Sequence, residues 1–266
     1  MDPTYQALPD VHVIPSHLEV PGVGVILVNA FVLLAEQPVL IDTGLAVETE
    51  PFMAALEAVI DPAELRWVWL THDDSDHTGS LGAVMARAPQ AKLATHGLGA
   101  LRASTCCPIP LDRVHALQVG DELDVGDRTL HAMRPPVFDN PVSIGIYDDS
   151  TRTLFPVDTF GAILPGVLQD AADYAEPELV GGMVAWTAFD SPWTHLVDRA
   201  KFAAVLDGVR QLDATNVLSS HLPAAKGCLD QFLKIVESVP DADPFVPPDH
   251  VAFAAIVAQM GPPPSP

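Results

Sequence analysis

Residues 71–80 read Thr71-His72-Asp73-Asp74-Ser75-Asp76-His77-Thr78-Gly79-Ser80. Two histidines and three aspartates fall within these ten residues. The stretch before them, Arg66 to Thr71 (RWVWLT), is a short apolar run of strand character. Beyond Gly79, Ser80 to Arg87 carries a helical pattern. A strand ending in such a loop anchors it, and the loop lets several side chains converge. Imidazole and carboxylate both bind divalent metals. Taken alone, the stretch is either a metal site or a solvated acidic loop with incidental histidines.

Upstream, Val11–Val20 and Gly24–Leu34 are rich in β-branched and apolar residues, and Pro38–Asp42 is a short apolar run ending at Thr43-Gly44. Glu48 to Ile60 reads as an amphipathic helix, with Phe52, Leu56 and Ile60 four apart. Downstream, Leu117 to Met133 contains two Gly-Asp turns, and Ser143–Tyr147 and Thr153–Val157 read as strands joined at Asp148-Asp149-Ser150. Two helical stretches, Leu196–Leu212 and Leu229–Val239, flank a strand at Asn216–Ser219. Residues 1–240 are expected to form one α/β domain. Residues 241–266 are expected to be a Pro-rich C-terminal extension with a short helix, Val251–Met260.

Composition narrows the function. Of 266 residues, 48% are hydrophobic and 18% charged, enough apolar surface for a packed core. Thirty-five acidic against 13 basic residues leave a net charge of −22, which disfavours nucleic acid and anionic membrane surfaces as partners. The longest apolar run, Val23 to Ala35, is too short to span a bilayer and is broken by Asn29. The acidic N-terminus lacks a signal-peptide pattern, so the expected location is cytoplasmic. Three cysteines do not make a disulfide framework, and the adjacent Cys106 and Cys107 read as ordinary thiols. No G-x-S-x-G elbow occurs, and with no dinucleotide-binding glycine motif and no flavodoxin-like stretch neither FMN nor NAD is expected on this chain.

The quoted loop resembles the H-x-H-x-D-H signature of the metallo-β-lactamase superfamily, written here His72-x-Asp74-x-Asp76-His77. Three further landmarks follow the superfamily order. They are Leu40-Ile41-Asp42-Thr43-Gly44, Leu154-Phe155-Pro156-Val157-Asp158-Thr159 and Ser219-Ser220-His221. The resemblance spans roughly residues 10–225. It implies an αββα sandwich of two mixed β-sheets flanked by helices, with metals held at one edge by strand-end loops. A carboxylate in the second position resembles the H-x-E-x-D-H of flavodiiron proteins, and Asp158-Thr159-Phe160-Gly161 is similar to their D-A-F-G. Their fourth ligand is a histidine in a stretch like L-H-W-P-D-S. The similar stretch here, Val137 to Ser143, has Asp139 at that place. His131, eight residues earlier, is the rival. Asp42 matches a residue that holds the loop rather than a metal.

The ligand set implied is His72, Asp74, Asp76, His77, Asp139, Asp158 and His221. Four carboxylates and three imidazoles make an oxygen-rich shell, which suits two iron or manganese ions better than zinc. The remaining histidines, among them His195, are expected to be surface or hydrogen-bonded residues. Trp186, Trp193 and Tyr174 fall in the region that would line the site, with core packing the expected role of each.

Two functions follow. In the first, the chain is a di-iron redox protein acting on dioxygen or a related small oxidant, as reductase, oxygenase or sensor, with electrons from a separate donor, a partner subunit or the substrate itself. In the second, it is a dinuclear metallohydrolase of an ester, lactone, thioester or phosphoester. A fold retained as an interaction module is the blandest reading. The oligomeric state stays open, a homodimer included.

Overall fold

In a computed structural model, residues 1–107 and 109–260 are described. Seven strands build most of the first sheet in chain order: β1 (Tyr5–Leu8), β2 (Val11–Val20), β3 (Gly24–Leu33), β4 (Val39–Ile41), β5 (Trp67–Trp69), β6 (Lys92–His96) and β7 (Val114–Leu117). Pairing is antiparallel from β1 to β4 and parallel from β4 to β7. The chain then enters the second sheet through β8 (Glu122–Asp124), β9 (Thr129–Met133), β10 (Gly145–Asp148) and β11 (Thr153–Phe155). A short β12 (Ile163–Leu164) returns to β3, and β13 (Asn216–Val217) and β14 (Ala225–Lys226) complete the second sheet. There β11 and β13 run parallel and the other pairs antiparallel, so both sheets are mixed.

The layers follow from the two-residue alternation of strands. Phe31 and Leu33 of β3 point into a core between the sheets with Trp69, Leu130, Ile146 and Phe155. Their neighbours Ala30 and Val32 point the other way, into a core shared with Phe52, Leu56 and Val84. These belong to α1 (Thr49–Val59) and, beyond a one-turn α2 (Ser75–Thr78), to α3 (Leu81–Arg87); α4 (Gly97–Ala103) follows β6. Leu154 of β11 faces a third core with Met183, Leu206 and Phe232. These lie on α5 (Glu176–Asp190), α6 (Arg199–Arg210) and α7 (Leu229–Ser238). Helix, sheet, sheet and helix are thus stacked around three cores, as the αββα expectation holds. Because β3 is covered on both faces, it reads as a continuous apolar run.

Several elements differ from the sequence expectation. The polar loop before Ser80 contains the turn of α2, and α3 begins at Leu81. The helix expected over Leu196–Leu212 starts later, as α6 at Arg199, because Asp198 caps it by accepting from the Lys201 amide at 3.0 Å. Helix α5 has no periodic signal, because it is buried by both β12 and α7 and carries Gly181-Gly182. A Cβ at Gly182 would clash with the Ile163 carbonyl, so this close approach requires glycine.

Helix α8 (His250–Met260) falls in the expected extension and is exposed, with Val251, Phe253 and Val257 facing solvent. Before it, Phe245 meets Phe189 of α5 edge-on at 5.0 Å. The rest of the Pro-rich end, 261–266, lies outside the described residues. No helix among the described residues is long and apolar enough to cross a membrane.

Candidate metal centre

The loop after β5 is locked by backbone bonds to the turn after β4. The Thr43 amide donates to the His77 carbonyl at 2.8 Å, Gly79 to Gly44 at 2.8 Å, and Ser80 to Thr43 at 3.1 Å. Asp42, with φ of 59°, sits at the corner. Its Oδ1 accepts from the Thr71 amide at 2.9 Å, and its Oδ2 from the Thr71 hydroxyl and from His77 Nδ1, both at 2.8 Å. Asp42 therefore acts on the loop, as expected, and turns His77 so that Nε2 faces inward.

The other two histidines are oriented the same way. His221 Nδ1 donates to the Leu27 carbonyl at 2.6 Å, and His72 Nδ1 lies 3.2 Å from the Thr71 hydroxyl. With each Nδ1 engaged, the three Nε2 atoms converge on one carboxylate. Asp158 Oδ1 is 3.0 Å from His221 and 3.2 Å from His77, and its Oδ2 is 3.3 Å from His72. All four side chains are buried. Second partners that fix the ring and tautomer are how ligand histidines are held. Asp158 reaches this place through Val157, whose φ of 60° is strained for a β-branched residue. Two bonds to the Val157 carbonyl hold that strain, from the Ser219 hydroxyl and the Ser220 amide, each 3.0 Å.

Around Asp158 the candidates fall into two groups. His72, Asp74 and Asp139 bring one donor atom each within 4.8 Å of one another, and so do Asp76, His77 and His221. All seven sequence-expected residues therefore meet at one edge of the sandwich, in two clusters that share a central carboxylate. The nitrogen and oxygen donors fit a pair of hard or borderline divalent ions. His131 lies elsewhere, half-buried on β9 beside Glu122 at 3.3 Å and Asp149 at 3.6 Å.

Charge among these side chains is uneven. Burial would raise the Asp158 carboxyl, but His72 and His77 outweigh it and hold it well below the usual range. For His77, burial is outweighed by Asp76, Asp42 and Asp158, which raise its pKa well above the ordinary value. His72 is lowered by burial and by His77. Asp139 stands at the exposed mouth of the site. Desolvation of its inner side and the charges of Asp158 and Asp190 push it up to about 8. Burial and Asp158 likewise push Asp190 up to about 7.

Sequence reading missed the residues that support Asp74. Asn140 Nδ2 donates to Asp74 Oδ1 at 2.8 Å and to Asp73 Oδ1 at 3.0 Å. Arg102 Nε pairs with Asp73 at 2.8 Å. It also missed Asp190, at the end of α5. Trp186 packs at 4.4 Å from the His221 ring and donates to the Asp158 carbonyl at 3.0 Å. Trp193 donates to the Phe138 carbonyl at 2.8 Å, next to Asp139. Tyr174 instead bonds the loop at Gly166 and Leu168. His195 is partly buried, and its Nε2 has no hydrogen-bond partner among the described residues. Cys106, Cys107 and Cys228 are free thiols. The first two line a cleft of about 670 Å³ with Asp73 and Arg102, which none of the seven candidates lines.

A pH dependence follows from Asp139. A metal must displace its proton, so uptake should tighten as pH rises towards about 8. The fold of the apoprotein responds in the opposite sense. A carboxyl raised above its unfolded value of 3.8 binds more protons folded than unfolded, so this group takes stability away as pH climbs from there to about 8. Calorimetric titration of apoprotein with Mn(II) at pH 6, 7 and 8 measures the first effect. Asp139→Ala should weaken uptake at least roughly tenfold and flatten its pH dependence, whereas His131→Ala should do neither. Unchanged uptake in Asp139→Ala, with loss in His131→Ala, would reverse the assignment.

Known proteins resemble this chain in sequence or in fold. A Type A flavoprotein fprA from Rhodobacter capsulatus is 28% identical over 204 residues, 73% of this chain and 44% of that protein. The flavodiiron protein from Giardia intestinalis superposes with a TM-score of 0.79 at 16% identity, over 90% of this chain and 60% of its own. Rubredoxin oxygen:oxidoreductase from the anaerobe Desulfovibrio gigas superposes at 0.76 and 19% identity, over 90% of this chain and 61% of its own. At such identities the structural likeness speaks for the fold. The chain spans less than half the length of the curated relatives it matches. A family match covers residues 26–221, from β3 through the loop that carries His221, and so takes in all seven candidate donors. By that match the chain, a metallo-β-lactamase sandwich with flavodiiron relatives, belongs to the family described as ODP family beta lactamase.

Proposed function

We propose that this chain is the dinuclear-metal unit of an oxidoreductase, with iron as its metal and dioxygen or a related small oxidant as electron acceptor. The observation that carries this reading is the donor set, in which three carboxylates and three oriented imidazoles surround a shared fourth carboxylate, Asp158. Oxygen-rich shells favour iron or manganese and stabilise their trivalent states. Two iron ions bound there would supply two electrons to the oxidant. The chain's own residues do the rest. His72, Asp74 and Asp139 would hold one ion, Asp76, His77 and His221 the other, and Asp158 both. Asp42 and the Leu27 carbonyl keep the imidazole Nε2 atoms directed inward. Trp186 shields the His221 side from water, and Asn140 keeps Asp74 turned towards His72.

The names of related proteins support the acceptor, since one is a rubredoxin oxygen:oxidoreductase and others are flavodiiron proteins. Electrons would come from a separate donor, for which an added reductant stands in below. Residues 241–260 would form an extension outside the metal unit.

The test is to load the protein with iron anaerobically, reduce it, admit air, and follow oxygen consumption with the near-ultraviolet absorption of the metal pair. About two irons per chain and an oxygen-linked spectral change are expected. A panel of lactones, thioesters and phosphoesters is run in parallel. Rapid cleavage by the resting protein, with two bound zinc ions and no uptake of iron, would replace this reading with hydrolysis.

A further inference from the structure

We propose that Asp190 is an eighth metal donor, closing the Asp139 side of the centre. The inference rests on the dinuclear reading above and extends it to a residue that none of the sequence motifs contains. Asp190 is the last residue of α5, and its carboxylate comes within 4.8 Å of those of Asp139 and Asp158. Its one side-chain hydrogen bond among the described residues comes from the Ser191 hydroxyl at 3.0 Å. No lysine or arginine pairs with it there.

Three features disfavour an anion here, and only the imidazoles of His221 and His77, with the Ser191 hydroxyl, offset them. Two carboxylates face Asp190. The C-terminal end of a helix repels negative charge, and the last turn of α5 has no basic residue to offset it. The residue is also partly buried, which strengthens the repulsion. Independently, three buried histidines present Nε2 atoms to Asp158, the same carboxylate that Asp190 approaches. Those imidazoles mark the position of an ion beside Asp158, and the Asp190 carboxylate comes within 4.8 Å of that same carboxylate. The aspartate at position 139 is one atom shorter in reach than a histidine ring. A second carboxylate from α5 supplies the missing donor to the same ion.

The experiment titrates apoprotein with Co(II), read by d–d absorption and calorimetry, for wild type, Asp190→Asn, Asp190→Glu and, as a control, Asp74→Ala. Asparagine keeps the shape and removes the charge. In Asp190→Asn one of the two ions should bind 10–100-fold more weakly, with an altered d–d spectrum, and Asp190→Glu should recover part of both. The same Asn variant should melt no lower than wild type as apoprotein, because asparagine keeps the shape of the side chain and its hydrogen bond with Ser191. A nearby charge that is not a donor would also weaken metal binding, but without altering the d–d spectrum, so the spectral change is the readout that marks a ligand. Wild-type affinity or a wild-type spectrum in Asp190→Asn overturns the proposal, and so does an apoprotein that melts lower or fails to fold. If wild type and Asp74→Ala alike bind no Co(II), the dinuclear reading itself fails, and that outcome is distinct from the loss of Asp190 alone.

Discussion

Asp158→Asn should abolish retention of the metal pair and weaken the empty fold at the same time. Its carboxylate lies within 3.3 Å of the Nε2 atoms of His72, His77 and His221, so it is the one group both halves of the site share. Loss of an outer-shell partner already costs roughly 10–100-fold in metal affinity, and a shared donor should exceed that range for both ions. In the apoprotein, removing one partner of buried charges costs about 3–5 kcal/mol, a fall in melting temperature on the order of 10 °C. The pH window follows from two signs. Asp158 is held below its unfolded value of 3.8, so its contribution is present above that pH and fades as pH falls through the folded value. His77 and His221 are raised, so theirs is full below 6.5 and fades as pH rises through the folded values. The gap between wild type and variant should therefore be widest between about pH 4 and 6.5. Thermal unfolding after chelation, with metal analysis, measures both effects. Equal melting and equal metal content would remove Asp158 from the centre.

Gly79→Ala should be nearly as damaging, although Gly79 offers no ligand. A Cβ there would overlap backbone atoms of Gly44, Leu45 and Ala46. None of these can rotate away, because the Gly79 amide is bonded to the Gly44 carbonyl. Overpacking costs typically about 1–3 kcal/mol, and a clash with backbone belongs at or above the upper end. The loop carrying His72 to His77 would separate from the turn carrying Asp42, so metal uptake should fall too. Gly208→Ala is the control, since its added methyl meets nothing within 4 Å. It should be neutral or slightly stabilising. If the two variants melt together, the two loops are not held as described.

The expected donors could be read from the chain because they sit at strand ends, where local pattern and metal chemistry coincide. The sheets were legible for a related reason. Strand alternation sorts Phe31 and Leu33 from Ala30 and Val32 without knowledge of the partner layer. Reading failed where burial erases periodicity. Helix α5, packed by β12 and α7, has apolar residues on most sides and two glycines at its waist, so it carries no amphipathic signal. With α5 unread, Asp190 at its end could not be placed near Asp139, 51 positions earlier in the chain. The supports of Asp74 were hidden likewise, since Asn140 and Arg102 reach the loop from other elements.

By itself the sequence determined the layered α/β class, the order of seven candidate donors and the oxygen-rich character of their set. Those properties depend on residue type and short-range spacing. Tertiary structure alone decided which nitrogen each histidine presents, that His131 lies apart beside Glu122 and Asp149, and that the Asp190 carboxylate comes close to Asp139. Those depend on contacts between residues tens to hundreds of positions apart, such as His221 with the Leu27 carbonyl. No local propensity encodes such contacts, because they exist only once the two sheets have packed.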